Sequence, residues 1–493
     1  MKHLNELPLP IITVGQLSTD QNGEDCDACV VAYNNYEKIN PISEISSTYY
    51  RIPEDSYWIP LDNKNYIIHS AFIKNSIALI NNSAFLLWKS FKQPSSLKEQ
   101  SIKWTHLLDC QIVANAFQEM IDVGLLIQEN QNSWGLTSQP SILSGWLHVT
   151  DRCNLRCNYC YLPHQKIDMP LEIGIKVIDL LFRQAKINNY SGVKLKFAGG
   201  EPLLKFSVIS NLYNYALKLS QQTALNLSGT IVTNGTLLTP DIAMFIKKLN
   251  LKLVISLDGL EIAHNIQRPY SNGKGSFIDI KKAIELSIAC GIKPHVSITL
   301  SNQNIRFISE CIEWLLEIDI PFSINFYRAN KFSSSSDLAI NSDEFIAELK
   351  KAYKVIEGKL PRHTLLAGLL DRTNLSIPHF KTCGVENSYL VFSPDGKISK
   401  CHMTSDDPVS NLQDDDALNT IRYSLRGVRN LPVQEKDECV NCHWRNWCTG
   451  GCPLMSNLAY GNFASKSPNC DIYKALCPEV IKLEGLRILK QFT

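Results

Sequence analysis

From Trp146 onward the chain alternates short runs of β-branched and aromatic residues with longer amphipathic stretches. WLHVT (146–150), VKLKFA (193–198), GTIVT (229–233), LVISL (253–257), HVSIT (295–299) and FSINF (322–326) have the length and composition of buried strands. Between them, LEIGIKVIDLLFRQA (171–185) and PDIAMFIKKL (240–249) carry apolar residues at helical spacing. Six such βα repeats predict an α/β fold with a parallel sheet, a partial TIM-like (β/α)6 barrel. Functional loops then belong at the C-terminal ends of its strands.

The flanks follow other patterns. Residues 1–50 are rich in Asn, Ser, Asp and Pro with little periodicity and read as a tail or loosely held arm. Over 51–140, YIIHSAFI (66–73) and SIALI (76–80) read as strands, SAFLLWKSF (83–91) as a helix, and VANAFQEMIDVGLLI (113–127) as holding a second helix that ends near Gly124. That set suits a small α+β domain of winged-helix type. The barrel core is expected over 141–335. A bridging helical segment follows over 336–380, opened by a capping box of Asn341 and Glu344. Over 381–493 regular patterning fades while cysteine density climbs, as in a segment held by metal.

Composition narrows the function classes. The 493 residues carry 49 Lys+Arg against 48 Asp+Glu, so net charge +1 argues against a polyelectrolyte partner such as nucleic acid or an acidic membrane. No apolar run approaches the roughly 20 residues of a membrane span, and the N-terminus lacks a secretory signal pattern. A reducing, cytoplasmic setting is the default expectation. There, 16 cysteines point to metal ligation and not to disulfides. Cys26, Cys29, Cys110, Cys290 and Cys311 are scattered and read as small buried hydrophobes.

Cys153-x3-Cys157-x2-Cys160 directly follows the first barrel strand. Three thiolates at this spacing can hold three irons of a cubane cluster and leave the fourth without a protein ligand. A zinc site completed by His164 is the rival. The spacing resembles that of radical S-adenosylmethionine (SAM) enzymes. The resemblance implies that these three cysteines hold a [4Fe–4S] cluster whose unique iron chelates SAM. One-electron reduction then cleaves SAM to a 5′-deoxyadenosyl radical that abstracts a substrate hydrogen. It also places Tyr159 beside the adenine. Gly199-Gly200-Glu201-Pro202, at the end of the second strand, is similar to the family's GGEP element and is implied to contact the SAM ammonium. Ser256-Leu257-Asp258-Gly259 and Arg268-Pro269 resemble elements that place Ser256 and Arg268 near the SAM ribose and carboxylate. A guanidinium can fork onto a carboxylate.

Cys383-x12-Gly396-x4-Cys401, then Cys439-x2-Cys442-x5-Cys448-x3-Cys452, then Cys470, is similar to the seven-cysteine SPASM pattern of auxiliary-cluster domains. Two zincs would be a rival on spacing alone. The resemblance implies Cys383, Cys401 and Cys452 on auxiliary cluster I, and Cys439, Cys442, Cys448 and Cys470 on auxiliary cluster II. Three [4Fe–4S] clusters are then expected. Tyr389 stands where some relatives add a cysteine, so cluster I is expected to be open or to recruit another ligand such as Cys477. In sulfatase-maturating enzymes an acidic base follows the cysteine equivalent to Cys401; here it is His402, the candidate catalytic residue.

Residues 56–130 resemble the PqqD-like peptide-recognition domain of ribosomal-peptide maturases, in which a leader peptide adds as a strand to a sheet edge. VANAFQEMIDVGLLI has no Lys or Arg, which argues against DNA reading. The expectation is a radical SAM/SPASM oxidoreductase that modifies, by crosslinking, a ribosomally made precursor peptide, fed by flavodoxin or ferredoxin. The alternatives are radical oxidation of a folded-protein side chain or a small molecule, and a metal-stabilised binding module without catalysis.

Overall fold

A computed structural model describes residues 11–13, 48–104, 110–131, 141–333 and 336–492, with backbone alone at 11–13, 110–111, 336 and 492. Cys26 and Cys29, and most of the expected tail, lie outside the described residues.

The six expected strands form one parallel array in chain order: β1 (Ile142–Thr150), β2 (Gly192–Gly199), β3 (Asn226–Thr233), β4 (Lys252–Ser256), β5 (His295–Leu300) and β6 (Phe322–Phe326). Every neighbouring pair is parallel, which requires crossover helices. These include α1 (Leu171–Ile187), α2 (Phe206–Thr223), α3 (Pro240–Lys248), α4 (Phe277–Ala289) and α5 (Ile308–Glu317). Strand β2 is buried along nearly its whole length, as expected of a parallel strand covered on both faces. Leu143, Leu147, Val193, Leu195, Phe197 and Ile231 share its core with the helices.

The C-terminal segment does not stand apart from this sheet. Strand β7 (Tyr389–Phe392) pairs parallel to β1, with Tyr389 opposite Ser144. It then turns through Gly396 (φ 82°) into β8 (Lys397–Ser399), which pairs with β9 (Ser410–Asn411). The sheet thus reaches nine strands, three of them beyond β1. The bridging helix α6 (Ser342–Gly358) is capped by the Asn341 side chain, which accepts from Glu344 N–H. It packs against the long C-terminal helix α7 (Cys470–Phe492).

The N-terminal strands 57–60, 65–69 and 77–81 form an antiparallel meander. Residues 11–13 add to the outer edge of the last strand, Ile11 opposite Ile80; this part of the expected loose arm is paired. One face of the meander (Ile68, Ala78, Ile80) packs on helices 82–89 and 110–122 through Phe85, Trp88 and Phe117. The other face (Ile67, Ile77, Leu79) joins the main core. Gly485 of α7 permits this closeness, because a Cβ there would lie 2.8 Å from Leu61 and 3.2 Å from Ile67.

Candidate functional site

Strand β1 runs straight into the loop that bears Cys153, Cys157 and Cys160. Backbone hydrogen bonds fix that loop on two sides. Arg156 N–H donates to Pro269 O and Asn158 N–H to Gln267 O, at 2.8 and 2.9 Å. On the other side Gly200 N–H donates to Thr150 O and Glu201 N–H to Arg152 O, at 2.7 and 2.8 Å. A Cβ on Gly199 (φ 126°) would meet Thr150 O at 2.2 Å, and one on Gly200 would meet Arg152 O at 2.1 Å. The two glycines therefore let the end of β2 lie directly against the root of the cysteine loop.

Glu201 is fully buried, and its carboxylate accepts from Leu203 N–H (2.9 Å), Thr233 Oγ1 (2.6 Å) and Asn234 N–H (2.8 Å). Burial raises its pKa against the pull of these donors. Its visible work is to tie the ends of β2 and β3 together. Pro202 opens the short 3-10 turn that follows.

Tyr159, Asp258 and Arg268 form one buried cluster. The Tyr159 hydroxyl donates to Asp258 Oδ2 at 2.5 Å and accepts from Arg268 Nη1, which stands 3.6 Å from the same carboxylate oxygen. Thr299 N–H donates to Asp258 Oδ1 at 2.8 Å. Behind Arg268, Ser276 Oγ donates to its backbone carbonyl at 2.6 Å, and His264 bonds Ser276 and Asp258 N–H. Burial first, then Arg268, keeps His264 neutral, well below the usual imidazole range. Ser256 ends β4 beside this cluster, half-buried.

The cysteines fall into three groups by mutual electrostatic contact. Cys157 faces Cys160 and Cys153; Cys401 faces Cys452 and Cys383; Cys448 faces Cys442, Cys439 and Cys470. Each group draws its members from one of the sets named in the sequence, and Cys477 adds to the last. Burial, in each case the largest cause, pushes Cys153 up to about 11, and Cys157, Cys401 and Cys448 up to about 12. Without metal these thiols stay protonated, so loading must expel protons. Among the described residues no three His, Cys, Asp or Glu converge on one ion position; a cubane asks instead for thiols spread around a four-iron body. The fit to the first cluster and SAM also rests on Arg268, whose Nε is buried with no hydrogen-bond partner among the described residues. Cys477, on α7, is buried and faces Cys448, Cys442 and Cys470, the second auxiliary set and not the first.

Residues 147–315 match the model of the Radical SAM superfamily. The chain therefore carries a Radical SAM domain over that stretch. Among relatives, an uncharacterised protein of Methanocaldococcus jannaschii is 36% identical over 181 residues, covering 36% of the chain and 60% of that relative. The radical SAM cyclopropyl synthase TigE of Paramaledivibacter caminithermalis is 23% identical, covering 86% of the chain and 93% of TigE. A cysteine-type anaerobic sulfatase-maturating enzyme of Clostridium novyi is 22% identical, covering 66% and 92%. The fold is shared with the solved structure described as native anSMEcpe with bound AdoMet and Cp18Cys peptide (TM-score 0.56, 18% identity, 70% of this chain and 99% of that one). The chain is thus similar, over its Radical SAM domain and beyond, to radical SAM enzymes that include sulfatase-maturating enzymes.

His402 directly follows Cys401, one of the second group of thiols. Its ring stacks on Trp146 at 4.6 Å and meets Tyr161 edge-on at 5.3 Å. Its Nδ1 bonds the Tyr389 hydroxyl at 3.1 Å. Burial, then Arg372, Arg328, His148 and Lys196, hold its pKa well below the usual range. His402 is a neutral imidazole.

Two further residues were not picked out by sequence reasoning. Asp258 was visible in SLDG but received no role. Asn234, at the end of β3, donates to Asn154 Oδ1 at 2.9 Å and approaches Cys153 Sγ at 3.9 Å. Its only cue was a polar triplet, Thr233-Asn234-Gly235, closing a strand.

Proposed function

We propose that the chain reductively cleaves SAM at the Cys153, Cys157, Cys160 site and uses the radical to modify a ribosomally made precursor peptide, forming a crosslink. The observation that carries this reading is the placement of those three thiols on one loop pinned between Gly199-Gly200 and the Tyr159–Asp258–Arg268 cluster. With a [4Fe–4S] cluster and SAM bound, the site supplies a 5′-deoxyadenosyl radical that takes a hydrogen atom from the substrate. Gly199 and Gly200 keep the backbone close to the loop, and Pro202 starts the turn away from it. Arg268 offers its guanidinium to the SAM carboxylate, held by Asp258 and by the Tyr159 hydroxyl. Ser256, two residues before Asp258, would meet the SAM ribose.

Cys383, Cys401 and Cys452 would hold one auxiliary cluster, and Cys439, Cys442, Cys448 and Cys470 the other. His402, next to Cys401, is the candidate acceptor for a substrate proton, a weak base because burial lowers its pKa. The peptide reading draws on the N-terminal meander, whose outer edge already accepts an added antiparallel strand, residues 11–13. The reductant is of flavodoxin or ferredoxin type.

The test is an anoxic preparation assayed for iron and for nucleoside release. About 12 irons per chain and 5′-deoxyadenosine formed with dithionite and SAM are expected. The triple variant Cys153→Ala, Cys157→Ala, Cys160→Ala should lose about four irons and all nucleoside release. Undiminished release from that variant would sink the reading.

A further inference from the structure

One short segment, Cys448-Thr449-Gly450-Gly451-Cys452, passes from the second auxiliary thiol set to the first. Its three inner residues are all left-handed, with φ of 45°, 81° and 67°. Such a run, one member of it not glycine, persists only where its surroundings hold it. Gly451 N–H donates to Cys448 O at 2.7 Å. The Thr382 hydroxyl donates to Gly451 O at 2.8 Å and meets Thr449 Oγ1 at 2.8 Å. Lys436 Nζ donates to Thr449 O at 2.7 Å. Thr382 adjoins Cys383, and Lys436 O accepts from Cys439 N–H at 2.8 Å. The turn is tied to both sets.

Lys436 is fully buried. A Cβ built on Gly450 would stand 3.0 Å from Lys436 Nζ and 3.3 Å from Cys439 Sγ, so the ammonium and that sulfur flank the same glycine. Burial lowers the Lys436 pKa, and the neighbouring thiols of Cys439 and Cys448 in one set and of Cys383 and Cys452 in the other act against that fall. Desolvating an ammonium is costly, and an apolar side chain could fill the same volume without that cost.

We propose that Lys436 is a fixed positive charge shared by the two auxiliary cluster sites, raising the reduction potential of both. Reduction adds a negative charge to a cluster, and a cation close by in a low-dielectric setting favours the reduced form. The same side chain anchors the turn that spaces the sites. Lys436 is a positioning residue and touches no substrate. The inference rests on the reading that both thiol sets carry clusters.

Iron analysis and a potentiometric titration followed by electron paramagnetic resonance test it on the anoxically reconstituted full chain. A wild-type chain with only about four irons would overturn the two-cluster reading and this inference with it. With about 12 irons in the wild type, the variants decide on Lys436 alone. Lys436→Met is expected to keep the wild-type iron content and to lower both auxiliary potentials, with the Cys153, Cys157, Cys160 cluster unmoved. Lys436→Arg should return both toward wild type. Unchanged auxiliary potentials, or a shift at one site alone, overturn the proposal. Should Lys436→Met not load, Lys436→Gln keeps a donor for Thr449 O without the charge. Full iron with lowered potentials in that variant supports the shared charge. Iron loss there too shows that the side chain only holds the turn, and overturns it.

Discussion

Asp258 shows how a single residue can be read in the sequence and still be missed in its role. SLDG pointed to Ser256, yet the buried contacts converge on the aspartate two positions later, which receives Tyr159, Arg268 and Thr299 N–H. No one-dimensional pattern reveals that a strand-end carboxylate faces an arginine ten residues on. Breaking a buried ion pair at one partner leaves an uncompensated charge, at a cost of about 3–5 kcal/mol. Asp258→Asn should therefore lower thermal stability by an amount of that order and weaken SAM binding, since Arg268 loses the carboxylate that holds it. Calorimetric titration with SAM and a melting curve check both parts. Gly200 makes a steric case of the same kind. Gly200→Ala would drive its Cβ into Arg152 O, 2.1 Å away, and both atoms belong to backbone that other hydrogen bonds fix. A loss of about 3 kcal/mol is expected, together with incomplete iron loading at the first cluster, read by iron analysis of the anoxic protein.

At the scale of elements, the six barrel strands were legible because each is a short apolar run with at least one buried face, with boundaries within a few residues of those observed. The strands after Phe380 were not. They have two to four residues, and β7 owes its place to pairing with β1, more than 240 positions earlier in the chain. Local pattern carries no information about such a partner. The N-terminal arm repeats the point: Ile11–Thr13 is too short to register as a strand, yet it pairs with Ala78–Ile80. A strand held by so few bonds is expected to exchange readily with another extended segment. Deleting residues 1–47 should raise amide hydrogen exchange at 78–80 while leaving the central strand 65–69 protected by its two neighbours. Unaltered exchange at 78–80 would mean that residues 11–13 contribute no protection to that edge.

For the whole molecule, sheet and core run across the segments read from the sequence. The SPASM-like segment extends the barrel sheet, and the N-terminal meander shares a core with α7. His69 sits at that junction. Its Nε2 bonds Leu375 O at 2.9 Å, its ring lies 4.1 Å from that of Trp447, and it is fully buried. Burial is the main cause that lowers its pKa to about 3, from the ordinary value of 6.5. A histidine lowered in this way must be neutral in the docked state, while the undocked or unfolded chain takes up a proton near pH 6.5. The undocked state then binds more protons between those values, so docking is at full strength above pH 6.5 and weakens as pH falls toward 3. By pH 5 the loss amounts to about 2 kcal/mol, at 1.36 kcal/mol per pH unit. His379 and His363, both lowered to about 4 chiefly by burial, act in the same direction, so the share of His69 is read as a difference. Limited proteolysis of the N-terminal domain should accelerate between pH 7.5 and 5 in the wild type. In His69→Gln, which has no proton to gain in this range, the acceleration should be smaller. Equal acceleration in both chains would place the acid sensitivity of the junction on other groups.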